Sequence, residues 1–176
     1  HANAVIGIND AYRIAPRLDV LYGCDFEWWN WHPAAALLKG MLRLTSDAQV
    51  PPRHPGVGLL QRLGDYGIPE HRWQIFTGHN GGYQAIQIAV HLGASRIILL
   101  GYDQTEARGG RSHWFGNHPG RTGDPDKYVT MFRPAFQTLV DPLHQRGVEC
   151  VNATPGSALT VFPMMQLEEA LCASRS

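Results

Sequence analysis

One stretch of this chain limits its folding choices more than any other. "RWQIF" (72–76) is a short apolar run and "TGHNGG" (77–82) is a turn of small and polar residues. "YQAIQIAVHLG" (83–93) then carries apolar residues at Ile86, Ala89, Val90 and Leu92 and closes on a glycine, as an amphipathic helix does. "SRIILLGYD" (95–103) is a strongly apolar strand. Strand, glycine-rich turn, helix and strand in that order form the unit of a parallel sheet with right-handed crossovers. The expected fold class is therefore α/β, a three-layer and mostly parallel sheet flanked by helices.

The flanking sequence fits that plan. "AVIGI" (4–8) and "LDVLYG" (18–23) read as strands buried on both faces, and the "DAYRIAPR" between them has room for one helical turn. After Pro33, the Ala and Leu content of "HPAAALLKGML" favours a helix to about Met41. "TSDAQVPPRHPGVG" (45–58) reads as a loop rather than a domain boundary, because too little chain precedes it to form a separate core. "KYVTMFRPAFQTLVDPLHQRG" (127–147) is helical in pattern, with Pro134 and Pro142 each threatening a kink. "VECVN" (148–152) is a further buried strand and "MQLEEALCAS" (165–174) a closing helix. A length of 176 residues, 44% of them hydrophobic, suits a single α/β domain over residues 1–176.

Bulk charge narrows the function classes. Fifteen basic residues balance fifteen acidic ones, so the chain lacks the electrostatic footprint of a protein that grips nucleic acid along its backbone. Cys24, Cys150 and Cys172 are far apart and include no Cys-x-x-Cys pair, and they read as reduced. The sequence has neither an eighteen-residue apolar run nor a basic-then-apolar leader, which points to a cytoplasmic protein without a membrane span. Self-association is left open. The chain opens "HANAVIGIND", without methionine and almost at once in a strand, as if upstream sequence had been cut away.

In open parallel sheets a ligand lies beyond the carboxyl ends of the strands. That rule selects Asn9 and Asp10, Asp25, the turn with Asn80, Gly81 and Gly82, then Asp103 and Gln104, and finally Asn152, Thr154, Pro155 and Ser157. The Asn80–Gly82 turn offers helix N-terminal amides to an anion such as phosphate, or else simply makes a tight turn and cap. Asp103 suits a ribose contact and a capping role equally. Trp28, Trp29 and Trp31 suit stacking on a sugar or base, although a core cluster is the commoner fate of such a group.

Between 104 and 126 the chain is polar and aperiodic, and it includes "GGRSHWFGNHPGRTGDPD" (109–126). A loop of this length is usually functional or disordered, and Trp114 and Phe115 argue against plain disorder. It reads as a lid. His113 and His118 lie near Asp124 and Asp126, but their spacing fits no usual zinc pattern. With an unperturbed pKa of about 6.5, either histidine suits acid–base work, and either also suits a structural role.

Taken in order, "YQAIQIAVHLGASRIILLGYD", "RSHWFGNHP" and "NATPGSAL" resemble the bacterial lipooligosaccharide sialyltransferases, and more closely phage and prophage proteins of the same general type. The likeness spans residues 72–160, with an echo at Asn9. It implies a Rossmann-like, glycosyltransferase-type fold that binds a nucleotide sugar without an obligatory metal and passes the sugar to a hydroxyl acceptor. By the same resemblance His118 is the general base, and the extra residue Asn117 makes His113 a substitute. Asn80, Gly81 and Gly82 would hold the nucleotide, with Asn9, Pro155 and Ser157 completing the pocket. The family's first strand and its "G-x-G-P-S" turn have no counterpart in this chain. The "G-Y-Q-A…L-G…G-x-D" core also looks like pterin diphosphokinase-like enzymes, which would require a divalent ion on Asp103 and Asp25. A third reading is a phage binding or assembly module that keeps the fold without the chemistry.

Overall fold

The computed structural model describes residues 3–105, 124 and 126–172. It is a mixed α/β structure of parallel sheets flanked by helices, and the chain divides into two compact units, His1–Leu92 and Gly93–Ser176.

In the first unit, β1 (Ile6–Ile8), β2 (Val20–Tyr22), β3 (Leu42–Thr45) and β4 (Gly58–Leu59) form a sheet in that order, with every pairing parallel. β5 (Gln61–Arg62) follows β4 after one residue and pairs in parallel with β6 (Gln74–Ile75). The backbone N–H of Leu60, between β4 and β5, still donates to the Thr45 carbonyl, so 58–62 is one extended stretch that changes partners midway.

All three residues of β2 are buried, and their alternation assigns them to two cores. Val20 and Tyr22 pack with Leu44, Leu60, Ile75 and Ile88, the last of these on α3 (Gly81–His91). Leu21 packs on the other face with Trp28 and Trp29 of α1 (Phe26–Trp31), Ala35, Ala36, Val50 and Val57. Gly23 is required where β2 leaves the sheet, because a Cβ there would lie 2.6 Å from the Trp28 ring.

The second unit is built on β7 (Arg96–Leu99), parallel to β8 (Glu149–Asn152). Between them run a π-helical turn (Tyr128–Phe132), α4 (Arg133–Gln137) and α5 (Val140–Gln145), and α6 (Leu167–Cys172) closes the unit. Pro134 and Pro142 cannot donate to the carbonyls four residues earlier, which accounts for the irregular first turn and for the break between α4 and α5.

Two expectations from the sequence differ from the structure. The helix expected to reach Met41 stops at a short 3-10 turn, Pro33–Leu37, and Leu42 already lies in β3. Leu38 is extended and Gly40 takes φ +81, so the chain has turned before Met41. The supposed loop 45–58 begins at the end of β3, holds α2 (Val50–Arg53) and ends in β4. Pro51 and Pro52 sit in the first turn of α2, where a missing N–H costs nothing. β6 and β7 flank α3 as expected, with β6 joined to β5 and β7 to β8.

Candidate functional site

The carboxyl ends of β1, β2, β3 and β6 carry most of the polar chemistry of the first unit. At the end of β1, Asn9 adopts φ +49, a left-handed conformation that costs a non-glycine residue energy. Its Oδ1 is buried and makes no hydrogen bond. Asp10 is 1% exposed, and its carboxylate accepts from the Trp28 indole N–H at 3.0 Å and from Arg13 at 3.2 Å. Both of its oxygens are engaged by the protein itself.

Beyond β2, Cys24 donates its thiol hydrogen to Asp25 at 3.3 Å, and Asp25 stands exposed at the start of α1. Burial, reinforced by the Asp25 carboxylate, pushes the Cys24 thiol well above its ordinary range, so it stays protonated and is no nucleophile. Beyond β3, Ser46 Oγ accepts from Arg62 at 3.1 Å and lies 3.0 Å from the Tyr22 hydroxyl, which donates to Gln84 Oε1 at 2.7 Å. Burial holds the Tyr22 phenol protonated.

The turn after β6 brings α3 to these strand ends. Gly78 and His79 both take left-handed φ, +49 and +56. A Cβ on Gly78 would fall 2.0 Å from the Tyr83 ring, so only glycine fits there. Asn80 caps α3, its Oδ1 accepting from Gly82 N at 2.7 Å and Tyr83 N at 3.1 Å. The cap therefore occupies two of the amides that an anion would use, and it does not reach the Gly81 N–H. Gly81 is packed at the strand ends, where a Cβ would stand 3.2 Å from Ile8 Cγ2 and 3.9 Å from Cys24 Sγ. Asp65 accepts from the Thr77 hydroxyl at 3.1 Å and lies 3.7 Å from His79 Nε2.

In the second unit the expected residues are woven into the ends of β7 and β8. Asn152 is fully buried. Its amide donates to Ser157 Oγ and the Leu159 carbonyl, both at 3.0 Å, and its Oδ1 accepts from Thr154 N at 3.0 Å. Thr154 Oγ1 accepts from Tyr102 N at 3.0 Å, and Ser157 donates to the Tyr102 carbonyl at 2.5 Å. These contacts lock the turn after β8 to the end of β7, leaving Pro155 and Asp103 exposed. Gln104 takes φ +52, and its Oε1 is buried without a hydrogen bond, repeating at β7 what Asn9 does at β1.

His113 and His118 lie outside the described residues, as does most of the 104–126 segment. The structure thus brings Asn9, Asp25 and Asn80–Gly82 to one set of strand ends, and Asp103, Gln104, Asn152, Thr154, Pro155 and Ser157 to another. Trp28 and Trp29, at 1% and 0% exposure, are core residues. Among the described residues no three His, Cys, Asp or Glu side chains gather as a metal site would, and no helix is long and apolar enough to cross a membrane.

Sequence reasoning passed over Tyr12, His32, Ser46, Arg62, Asp65 and His79. Ser46 and Arg62 follow or belong to β3 and β5, strands the sequence did not announce, so the strand-end rule had nothing to attach to. His79 was visible inside "TGHNGG", marked only by its place between Gly78 and the cap. No protein-family model, curated protein or solved structure matches this chain.

Proposed function

We propose that this chain is a Rossmann-like, glycosyltransferase-type protein that binds a nucleotide sugar at the strand ends and passes the sugar to a hydroxyl acceptor. In this reading His118 takes the proton from the acceptor hydroxyl while backbone donors and nearby polar groups stabilise the departing phosphate. No step calls on a metal. The observation that carries the reading is the packing of Gly81, at the start of α3, against Ile8 of β1 and Cys24 beyond β2. It assembles at one place the helix N-terminus, Asn9 with its unpaired Oδ1, and exposed Asp25, which is where a ligand of a parallel sheet belongs.

The test is a thermal-shift screen against CMP and UDP sugars and their free nucleotides. A ligand present at 100 times its Kd stabilises the folded state by about 2.7 kcal/mol, which is a readily measured shift. The expected result is a rise in melting temperature with one nucleotide class, reduced in Asn9→Ala. The absence of a shift across the whole panel would refute the reading.

A further inference from the structure

The most heavily buried carboxylate in the first unit begins a chain of titratable groups that the proposed function does not use. Asp10 Oδ1 lies 3.7 Å from His32 Nε2, and the opposite ring nitrogen, Nδ1, is 3.0 Å from the Tyr12 hydroxyl. The imidazole is fixed between them. It stacks on Trp28 with ring centroids 4.9 Å apart and planes 25° apart, and Tyr12 meets both rings edge-on at 6.0 and 5.9 Å. Trp28 in turn is anchored by its indole bond to Asp10. The three groups grade from fully buried Asp10 through His32, with 19% of its side chain exposed, to half-buried Tyr12.

In the tautomer with its hydrogen on Nε2, toward the carboxylate, neutral His32 accepts from Tyr12 at Nδ1. A proton on Nδ1 would leave the imidazolium 3.7 Å from the Asp10 carboxylate. The charged groups acting on Tyr12 are Asp10 and Arg13, and Arg13 is itself paired to Asp10 at 3.2 Å. His54 lies across Trp29 at 6.3 Å between ring centroids, and Arg53 stands over the neighbouring Phe26 ring at 5.0 Å.

We propose that Asp10, His32 and Tyr12 form a proton relay in which His32 draws the phenolic proton and makes the Tyr12 oxygen the base toward a hydroxyl-bearing ligand beyond β1. The ligand hydroxyl gives its proton to the Tyr12 oxygen as the Tyr12 proton moves to His32 Nδ1. The relay goes beyond the proposed function, since its path lies within residues 10–32 and calls on neither His118 nor a nucleotide. Left to itself, Tyr12 holds its proton, because burial and the Asp10 charge both raise its pKa. The histidine is what changes this.

The same proton path can be probed on the whole chain with N-acetylimidazole. The Tyr12 oxygen bonds to the acetyl carbon, the acetyl C–N bond breaks, and its electron pair leaves with the reagent's imidazole. The phenolic proton passes to His32 Nδ1 and from there to the departing imidazole. Peptide mass spectrometry should show Tyr12 acetylated faster than exposed Tyr66, at a rate that levels off while the Tyr66 rate is still rising with pH. The Tyr66 rate should instead keep climbing with pH. His32→Gln retains a hydrogen-bonding group but no base, and should slow Tyr12 about tenfold or more while leaving Tyr66 unchanged. Tyr12 labelled no faster than Tyr66, a Tyr12 profile without a plateau, or a folded His32→Gln with the wild-type rate would each overturn the relay. If His32→Gln does not fold, the wild-type profile decides alone. A nucleotide screen that fails while this profile holds would remove the proposed function and leave the relay standing.

Discussion

Asn80 shows how a single side chain can serve structure where a ligand was expected. Its carbonyl oxygen holds two amides of the first turn of α3, so Asn80→Ala should cost about 1 kcal/mol in denaturant unfolding, the usual penalty for losing such a cap. Gly78→Ala should cost more, because the new methyl group meets the Tyr83 ring at a backbone angle that disfavours any side chain. The thiols give a third expectation. Burial first, and then the Glu149 charge, push the buried Cys150 up to about 12, and Cys24 is raised as well, whereas Cys172 is exposed. Iodoacetamide at about pH 8 should therefore alkylate Cys172 and spare Cys24 and Cys150 until the protein is denatured. A raised folded-state pKa stabilises fully below the unfolded value, about 8.5, and that stabilisation is lost as pH rises through the folded one. The melting temperature should accordingly fall through the alkaline range up to about pH 12, less steeply in Cys150→Ala.

The helix α3 departs from its sequence pattern in an instructive way. Ile86 is buried as its spacing implies, but Leu92 is 54% exposed, and the buried set also includes Gln84 and Gln87. Gln87 pairs with the backbone of Phe76 on both sides, accepting from its N–H and donating to its carbonyl, each at 2.9 Å. The side-chain amide stands in for a missing strand neighbour at the end of β6. Gln87→Leu should therefore cost about 3 kcal/mol in chemical denaturation, despite the favourable hydrophobicity of leucine, because two buried backbone groups lose their partners. A polar residue can line a core face when its partners come from another element, and helical periodicity does not contain that information. β3 was hidden for a related reason. "MLRLT" is short and follows an Ala-Leu run, and only its ladders to β2 and β4 make it a strand.

At the scale of the whole molecule, the two compact units each contain a parallel pairing of strands and buried apolar residues of their own. The two core clusters around β2 lie wholly within residues 1–92. A fragment of residues 1–92 should therefore unfold cooperatively with a blue-shifted emission from Trp28 and Trp29, and a fragment without a thermal transition would count against an autonomous core. The sequence by itself determined the class of this protein. Buried parallel strands need continuous apolar runs, so "AVIGI", "LDVLYG", "IILL" and "VECVN" announced β1, β2, β7 and β8, and the glycine-rich turn announced the start of α3. It likewise directed attention to the strand ends where Asn9, Asp25 and Asn80–Gly82 meet. Only the tertiary structure decided which of those residues are spent on the fold itself. Asp10, Asn152, Thr154 and Ser157 are consumed by bonds to groups 2 to 55 positions away, and the chain from Asp10 through His32 to Tyr12 depends on an imidazole 22 residues beyond the carboxylate. Burial and hydrogen-bond satisfaction are properties of neighbours in space, and neighbours so distant along the chain leave no local pattern in sequence to be read.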